Sequence, residues 1–337
     1  LDNMKCLVTG GAGFVGSHLA ERLLEEGHNV IVIDNFASGR KENLASMISK
    51  ENFVLYEADI ADHIKIEPYF QGVDWVFHVA ALADVVPSIE QPLKYHNSNV
   101  NGTIAVLEAS RKAEVKRLVY MASSSCYGLP DILPTPETAE IRTMYPYALT
   151  KYLGETMVMH WCQTYKLPCN SLRAFNIFGP RSRTTGSYGA VFSVFLAQKL
   201  AGKPLTVVGD GSQSRDFTFV GDIVNALIMT AKSRVCGEIM NVGTGESRSV
   251  NEIVDILGSD VVYIPKRPGE PDCTQANISK IESLLGWKAT TPFEDGVNIM
   301  LNQIEQWRDA PIWTEDSIYK ATKTWFRYLG DSLNEHD

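Results

Sequence analysis

Long apolar runs, basic stretches and metal-type cysteine spacing are all missing from this 337-residue chain. No run approaches the ~18 apolar residues that cross a bilayer, which excludes a membrane-spanning segment. Lysine and arginine number 31 against 40 acidic residues, for a net charge of −9. With no basic stripe either, nucleic acid is excluded as a partner. The six cysteines form no CxxC pair and have no histidines at zinc spacing, so no metal centre is expected. Internal repeats and low-complexity segments are absent. The chain enters a strand-like Lys5-Cys-Leu-Val-Thr9 almost at once, which predicts no signal peptide, a cytoplasmic setting and reduced thiols.

What is present is an ordinary globular composition, 45% hydrophobic and 21% charged, with length for a large domain and a smaller one. The first half alternates strand and helix patterns. Strand-like runs fall at residues 5–9, 29–34, 53–57, 75–79 and 117–122, and helical stretches at 14–26, 64–70 and 100–113. Near-continuous apolar strands alternating with helices mean a parallel sheet covered on both faces. Right-handed crossovers then give an α/β fold, a Rossmann-type doubly wound sheet spanning residues 1–175. After Asn176 glycine and proline punctuate shorter elements, predicting a smaller substrate-binding domain over 176–337. Elements around 216–243 are expected to return to the sheet, among them a buried strand at 237–243. The aromatic tail from Trp307 reads as a helix covering a core surface or a subunit contact.

Thr9-Gly-Gly-Ala-Gly-Phe-Val-Gly16 lies between the first strand and the first helix. Glycines there let the backbone turn tightly and approach a pyrophosphate at a helix N-terminus. Gly10, Gly13, Phe14, Val15 and Gly16 are therefore candidate cofactor residues. Asp34 ends the second strand, followed by Asn35. A carboxylate there accepts hydrogen bonds from an adenosine ribose and repels a 2′-phosphate, favouring NAD over NADP. Arg40 nearby works against that preference.

Tyr147 and Lys151 stand four apart on a predicted helix and so share a face. A phenol has a pKa near ~10, and lowering it to ~7 takes about 4 kcal/mol. One positive charge about 4 Å away supplies on the order of 4 kcal/mol at an effective dielectric of ~20. Lys151 can thus make Tyr147 a base, with burial opposing it. Ser123 ends the strand before, at the edge that faces the cofactor crevice, where it can orient a substrate hydroxyl. Glycine loop, Ser123, Tyr147 and Lys151 together specify a hydride-transfer site.

The Gly-x-x-Gly-x-x-Gly spacing resembles the extended short-chain dehydrogenase/reductases, whose members mostly act on nucleotide-linked sugars. The match continues through Asp59-Ile60, His78-Val-Ala-Ala81, Asn99-Val-Asn-Gly-Thr103 and Ala122-Ser-Ser-Ser-Cys-Tyr-Gly128. Beyond Tyr147-x-x-x-Lys151 it takes in Arg173-Ala-Phe-Asn-Ile-Phe-Gly-Pro-Arg181 and Gly209-Asp-Gly-Ser-Gln-Ser-Arg-Asp216, and it ends near residue 305. The resemblance implies NAD contacts from Asp59, Ile60, Ala80, Ala81 and Asn99 as well as Tyr147 and Lys151. It implies a nucleotide-diphosphate sugar as substrate, met by Ser124, Ser125, Asn176, Tyr188, Val191, Arg215 and Arg267. Arg181 and Arg183 carry a weaker version of the same expectation, and Asp84 lies on the loop that touches the hexose. The family pairs its helices near 100–113 and 147–165 into a homodimer.

Family members that go on to lose water or carbon dioxide carry acidic residues after the catalytic hydroxyl. Here those positions are Ser124 and Ser125, which resembles the 4-epimerases, in which a 4-keto intermediate turns over and is reduced on its other face. The alternatives are a 4-dehydrogenase that stops after oxidation, a 4,6-dehydratase, and a silent NAD-sensing or scaffold protein. Cys126 reads as packing rather than as an acid or base.

Overall fold

The computed structural model describes residues 3–182 and 188–330. Seven strands form one wholly parallel sheet: β1 (Lys5–Thr9), β2 (Asn29–Asp34), β3 (Phe53–Glu57), β4 (Trp75–His78), β5 (Arg117–Ser123), β6 (Cys169–Ala174) and β7 (Ile239–Val242). Their order is β7-β6-β5-β4-β1-β2-β3. The chain runs outward one way from β1 and the other way from β4, so a crevice opens at the strand ends between them. The pairing sets Leu7 beside Ile31 and Ser123 beside Ala174.

Successive side chains on a strand point to opposite faces, and both faces here are buried. Cys6, Val8, Val30, Val32, Val119 and Met121 enter one core; Leu7, Ile31, Ile33, Leu118, Tyr120 and Ala122 enter the other. Helix α1 (Phe14–Glu25) covers the first face together with the helix Val220–Lys232. The helices Gly102–Lys112 (α2) and Pro146–Tyr165 (α3) cover the second. Gly154 lets α3 come close to β5, because a Cβ there would fall 2.5 Å from the Tyr120 hydroxyl.

The helix expected at 100–113 starts earlier. Pro92 opens it, and a π turn at Asn97–Asn101 joins Pro92–His96 to α2. The expected helix at 64–70 is a single α turn, His63–Ile66, continued as a 3-10 turn where Pro68 cannot donate. The expected return to the sheet is present in β7, which pairs with β6.

A second core collects Phe178, Phe192, Phe195, Phe217, Phe293 and Trp307 beneath a parallel pair, Leu205–Val208 with Val261–Ile264. The buried Asp216 carboxylate accepts from the backbone N–H groups of Thr244, Gly245 and Ala276, which fixes the loop that carries Arg215.

His78 ends β4 beneath the cleft floor. Its Nδ1 lies 2.7 Å from the Thr9 hydroxyl and its Nε2 2.8 Å from the Thr103 hydroxyl. Thr103 donates to the Asn99 carbonyl, so it accepts from His78, which assigns the proton to Nε2. Burial, with Lys151 adding to it, lowers the His78 pKa to about 3. The unfolded chain binds that proton near pH ~6.5, so stability falls as pH drops through the interval between the two values. At pH 5 the loss amounts to about 2 kcal/mol. Urea midpoints at pH 7 and pH 5 should differ more for the native sequence than for His78→Gln; equal pH dependence would refute the assignment.

Candidate functional site

A single cleft of about 900 Å³ runs across the strand ends, from the first loop to the loops at Arg215 and Arg267. At one end Gly10 adopts φ +69°, and a Cβ there would fall 2.7 Å from the Cα of Ala80. A Cβ on Gly16 would fall 2.1 Å from the Gly10 carbonyl oxygen, so α1 begins tight against the loop. The N-cap of α1 is Gly13; no side chain caps it, and its first turn carries no acid. Its N-terminal N–H groups and dipole thus present positive charge to the cleft. Asp34, buried at the tip of β2, accepts from the backbone N–H of Ala12 at 2.9 Å and of Phe36 at 2.8 Å. Burial raises its pKa, and those two bonds oppose the shift.

This end fits a dinucleotide: a side-chain-free cradle, a bare helix N-terminus, and a carboxylate one strand over. Gly10, Gly13, Phe14, Val15, Gly16, Asp34, Asn35, Ile60, Ala80 and Ala81 all line it. Asp59 and Asn99 are not among the lining residues. Asp59 is exposed and accepts from the Ala61 backbone. Asn99 is buried instead beneath the wall. It accepts from the Leu82 backbone N–H and donates to the Leu82 carbonyl and to Thr150, bracing the loop after β4. Sequence matching finds such a residue, and only coordinates reveal that its partners are protein atoms.

At the centre, Ser123 is the last residue of β5. Its hydroxyl donates to Ser125 Oγ at 2.8 Å and accepts from the Ser125 backbone N–H, and Tyr147 lines the cleft with it. Pro146 occupies the first turn of α3, which starts the helix just ahead of Tyr147. Burial raises the Tyr147 pKa, and the nearby Ser123 hydroxyl works against it. Lys151, one turn on, is buried; its Nζ donates to the Met121 carbonyl at 2.6 Å and lies 4.3 Å from the Tyr120 ring centroid. Burial lowers its pKa to about 7, and the Glu155 carboxylate opposes the shift. The ammonium expected to lower the phenol's pKa is thus itself shifted down by burial, and held by main chain.

A polar network underpins α3. Glu155 forms an ion pair with Arg173 on β6, Nη2 to Oε1 2.6 Å, and accepts from Ser171 at 2.8 Å. Arg173 donates to the Tyr127 hydroxyl, which donates to Asn241 on β7. Both charged side chains are buried. Cys126 packs beside Tyr127 and Phe175, and burial lifts its thiol pKa to about 12, in keeping with a packing role.

At the far end, Ser124, Ser125, Asn176, Tyr188, Val191, Arg215 and Arg267 all line the cleft. Glu270 accepts from Arg267 Nε at 3.0 Å and lies 3.9 Å from Arg215. Asn176 accepts from Thr274. Three residues that sequence reading did not single out for the site complete it: Tyr145, which stacks on Tyr147 at 6.3 Å, and Trp313 and Trp325 from the tail. Arg181 lines the cleft and pairs with Glu21, whereas Arg183 lies outside the described residues. No group of three or more histidine, cysteine or acidic side chains suited to a metal occurs among the described residues.

The profile of the NAD dependent epimerase/dehydratase family matches residues 6–243. The chain belongs to that family. Among relatives, a putative UDP-glucose 4-epimerase of Methanocaldococcus jannaschii is 36% identical over 303 residues, covering 88% of this chain and 97% of the relative. Among solved structures, the UDP-N-acetylglucosamine 4-epimerase of Methanobrevibacter ruminantium M1, in complex with UDP-N-acetylmuramic acid, superposes with a TM-score of 0.84 at 33% identity. That likeness covers 90% of this chain and 100% of the other. The UDP-glucuronic acid 4-epimerase of Bacillus cereus, with UDP-glucuronic acid and NAD, gives 0.84 at 30% identity over 90% and 99% of the two chains. In this epimerase/dehydratase chain the crevice between β1 and β4 is where NAD, the family's cofactor, fits.

Proposed function

We propose that this protein is an NAD-dependent nucleotide-sugar 4-epimerase acting on UDP-sugars. The observation that carries the reading is one cleft with a dinucleotide cradle at one end, two arginines at the other, and Ser123, Tyr147 and Lys151 between them. The printed activities of the relatives support the choice of 4-epimerase and of a uridine nucleotide.

Gly10, Gly13, Phe14, Val15, Gly16, Asp34, Asn35, Ile60, Ala80 and Ala81 hold the cofactor in this reading. When bound, the cofactor supplies a reversible acceptor for the two electrons lost at carbon 4. Tyr147 removes the proton from the 4-hydroxyl, and Ser123 orients that hydroxyl against the phenol oxygen. Lys151 keeps a titratable ammonium one helical turn away, with Glu155 sustaining its charge. The 4-keto sugar then presents its other face, and Tyr147 returns the proton. Arg215 and Arg267 offer bidentate donors to the diphosphate, with the partial offset by Glu270 leaving net positive charge.

Water loss would need a carboxylate beside the substrate. Positions 124 and 125, where the family's dehydratases carry acids, are hydroxyls, which favours epimerisation over dehydration. In the same reading the protein is a cytoplasmic homodimer. All six cysteines are free thiols, and Leu93 and Leu149 stand 85% and 44% exposed on packed helices, Pro92–His96 and α3.

A panel of nucleotide sugars followed by NMR and mass spectrometry tests the activity. Inversion at carbon 4 at unchanged mass is expected. Stoichiometric NADH with loss of two hydrogens would establish a dehydrogenase instead, and loss of water a dehydratase. Sedimentation of the same preparation should give a two-chain species; an active monomer would overturn the assembly.

A further inference from the structure

The wall of the cleft beside Arg267 is built by a segment that the family resemblance, which ends near residue 305, does not reach. Trp325 lies on the helix Glu315–Leu329 and is buried, and its indole N–H donates to the Pro268 carbonyl at 2.7 Å. The Arg267 guanidinium lies 5.3 Å from the Trp325 ring and 5.2 Å from the Tyr188 ring. Tyr188 in turn meets Trp313 edge-on at 5.3 Å. The segment is anchored at both ends: the Trp313 carbonyl accepts from Gln198, and Thr324 donates to Glu90 on the helix Val85–Glu90.

A free arginine side chain samples many rotamers and loses that freedom when it grips an anion. Two aromatic faces and the Glu270 carboxylate at Nε remove most of that freedom beforehand, and prior ordering of this kind appears as affinity. A guanidinium also gains from aromatic faces within about 6 Å of it.

We propose that Trp325 is a positioning residue for nucleoside-diphosphate recognition, acting through Arg267 rather than on the ligand directly. The inference rests on the assignment of Arg267 to the diphosphate under the proposed function. The C-terminal segment thereby makes a tail residue part of the binding apparatus without taking part in the chemistry.

Titration calorimetry of the NAD-loaded protein with UDP, in a double-mutant cycle, tests it. Trp325→Leu keeps an apolar side chain, smaller than the indole, and removes the aromatic face and the indole N–H that holds Pro268; it should weaken UDP binding about tenfold in the native background and by less than about twofold in an Arg267→Ala background. Trp325→Phe, which retains a ring, should stay within about threefold of the native protein. Trp325→Met serves the same cycle if the leucine variant does not fold. Equal losses in both backgrounds, or no loss from Trp325→Leu while Arg267→Ala weakens binding, would overturn the positioning role alone. Unchanged UDP binding in Arg267→Ala would overturn the diphosphate assignment and this inference with it.

Discussion

Tyr147→Phe lowers kcat by about 10³-fold or more while the purified protein still carries its NAD. The substitution removes one oxygen and leaves the ring, so the stacking on Tyr145 at 6.3 Å persists. Ser123 keeps its hydrogen bond to Ser125, and Lys151 keeps the Met121 carbonyl. What disappears is the phenol oxygen beside Ser123 and Lys151 in the cleft, and with it the route for the 4-hydroxyl proton. Cofactor released by denaturation and measured by absorbance should equal that of the native protein. A variant within tenfold of native turnover would remove Tyr147 from the chemistry, and loss of cofactor would make the effect structural.

The second large effect concerns folding stability. In Arg173→Met the Glu155 carboxylate stays buried with Ser171 as its remaining side-chain donor. Breaking one side of a buried pair costs about 3–5 kcal/mol, because an uncompensated charge is left behind. For a chain of 337 residues that corresponds to a thermal midpoint lower by about 4–7 °C. The double variant Arg173→Met with Glu155→Met removes both charges and should recover much of the loss. A single variant melting within about 2 °C of the native protein would contradict this account. Because Glu155 lies one turn beyond Lys151 and supports its charge, the single variant should also lose activity below its melting range.

The parallel sheet was legible because β1, β2 and β5 are near-continuous apolar runs, a pattern that arises when both faces are covered. The glycine loop and the Tyr147–Lys151 spacing were legible because each follows from local backbone geometry. That Asp59 and Asn99 lie off the cleft lining was not, since a motif fixes a position along the chain and not the direction of a side chain. Nor could the cluster of Tyr145, Tyr188, Arg267 and Trp325 be read: its members lie between 43 and 180 positions apart, and no periodicity links them. The pairing of Leu205–Val208 with Val261–Ile264 escaped for the same reason. The electrostatics of Lys151 depend on burial, which a helical spacing does not contain.

The partner that holds the Lys151 ammonium is a main-chain oxygen, that of Met121. Substitution at residue 121 can repack the neighbouring core, yet every amino acid placed there offers the same acceptor. Genetic drift along β5 therefore leaves this tether intact so long as the strand keeps its path. An engineer who wishes to retune the pocket can vary that strand's inward positions without giving up the anchor of its buried cation.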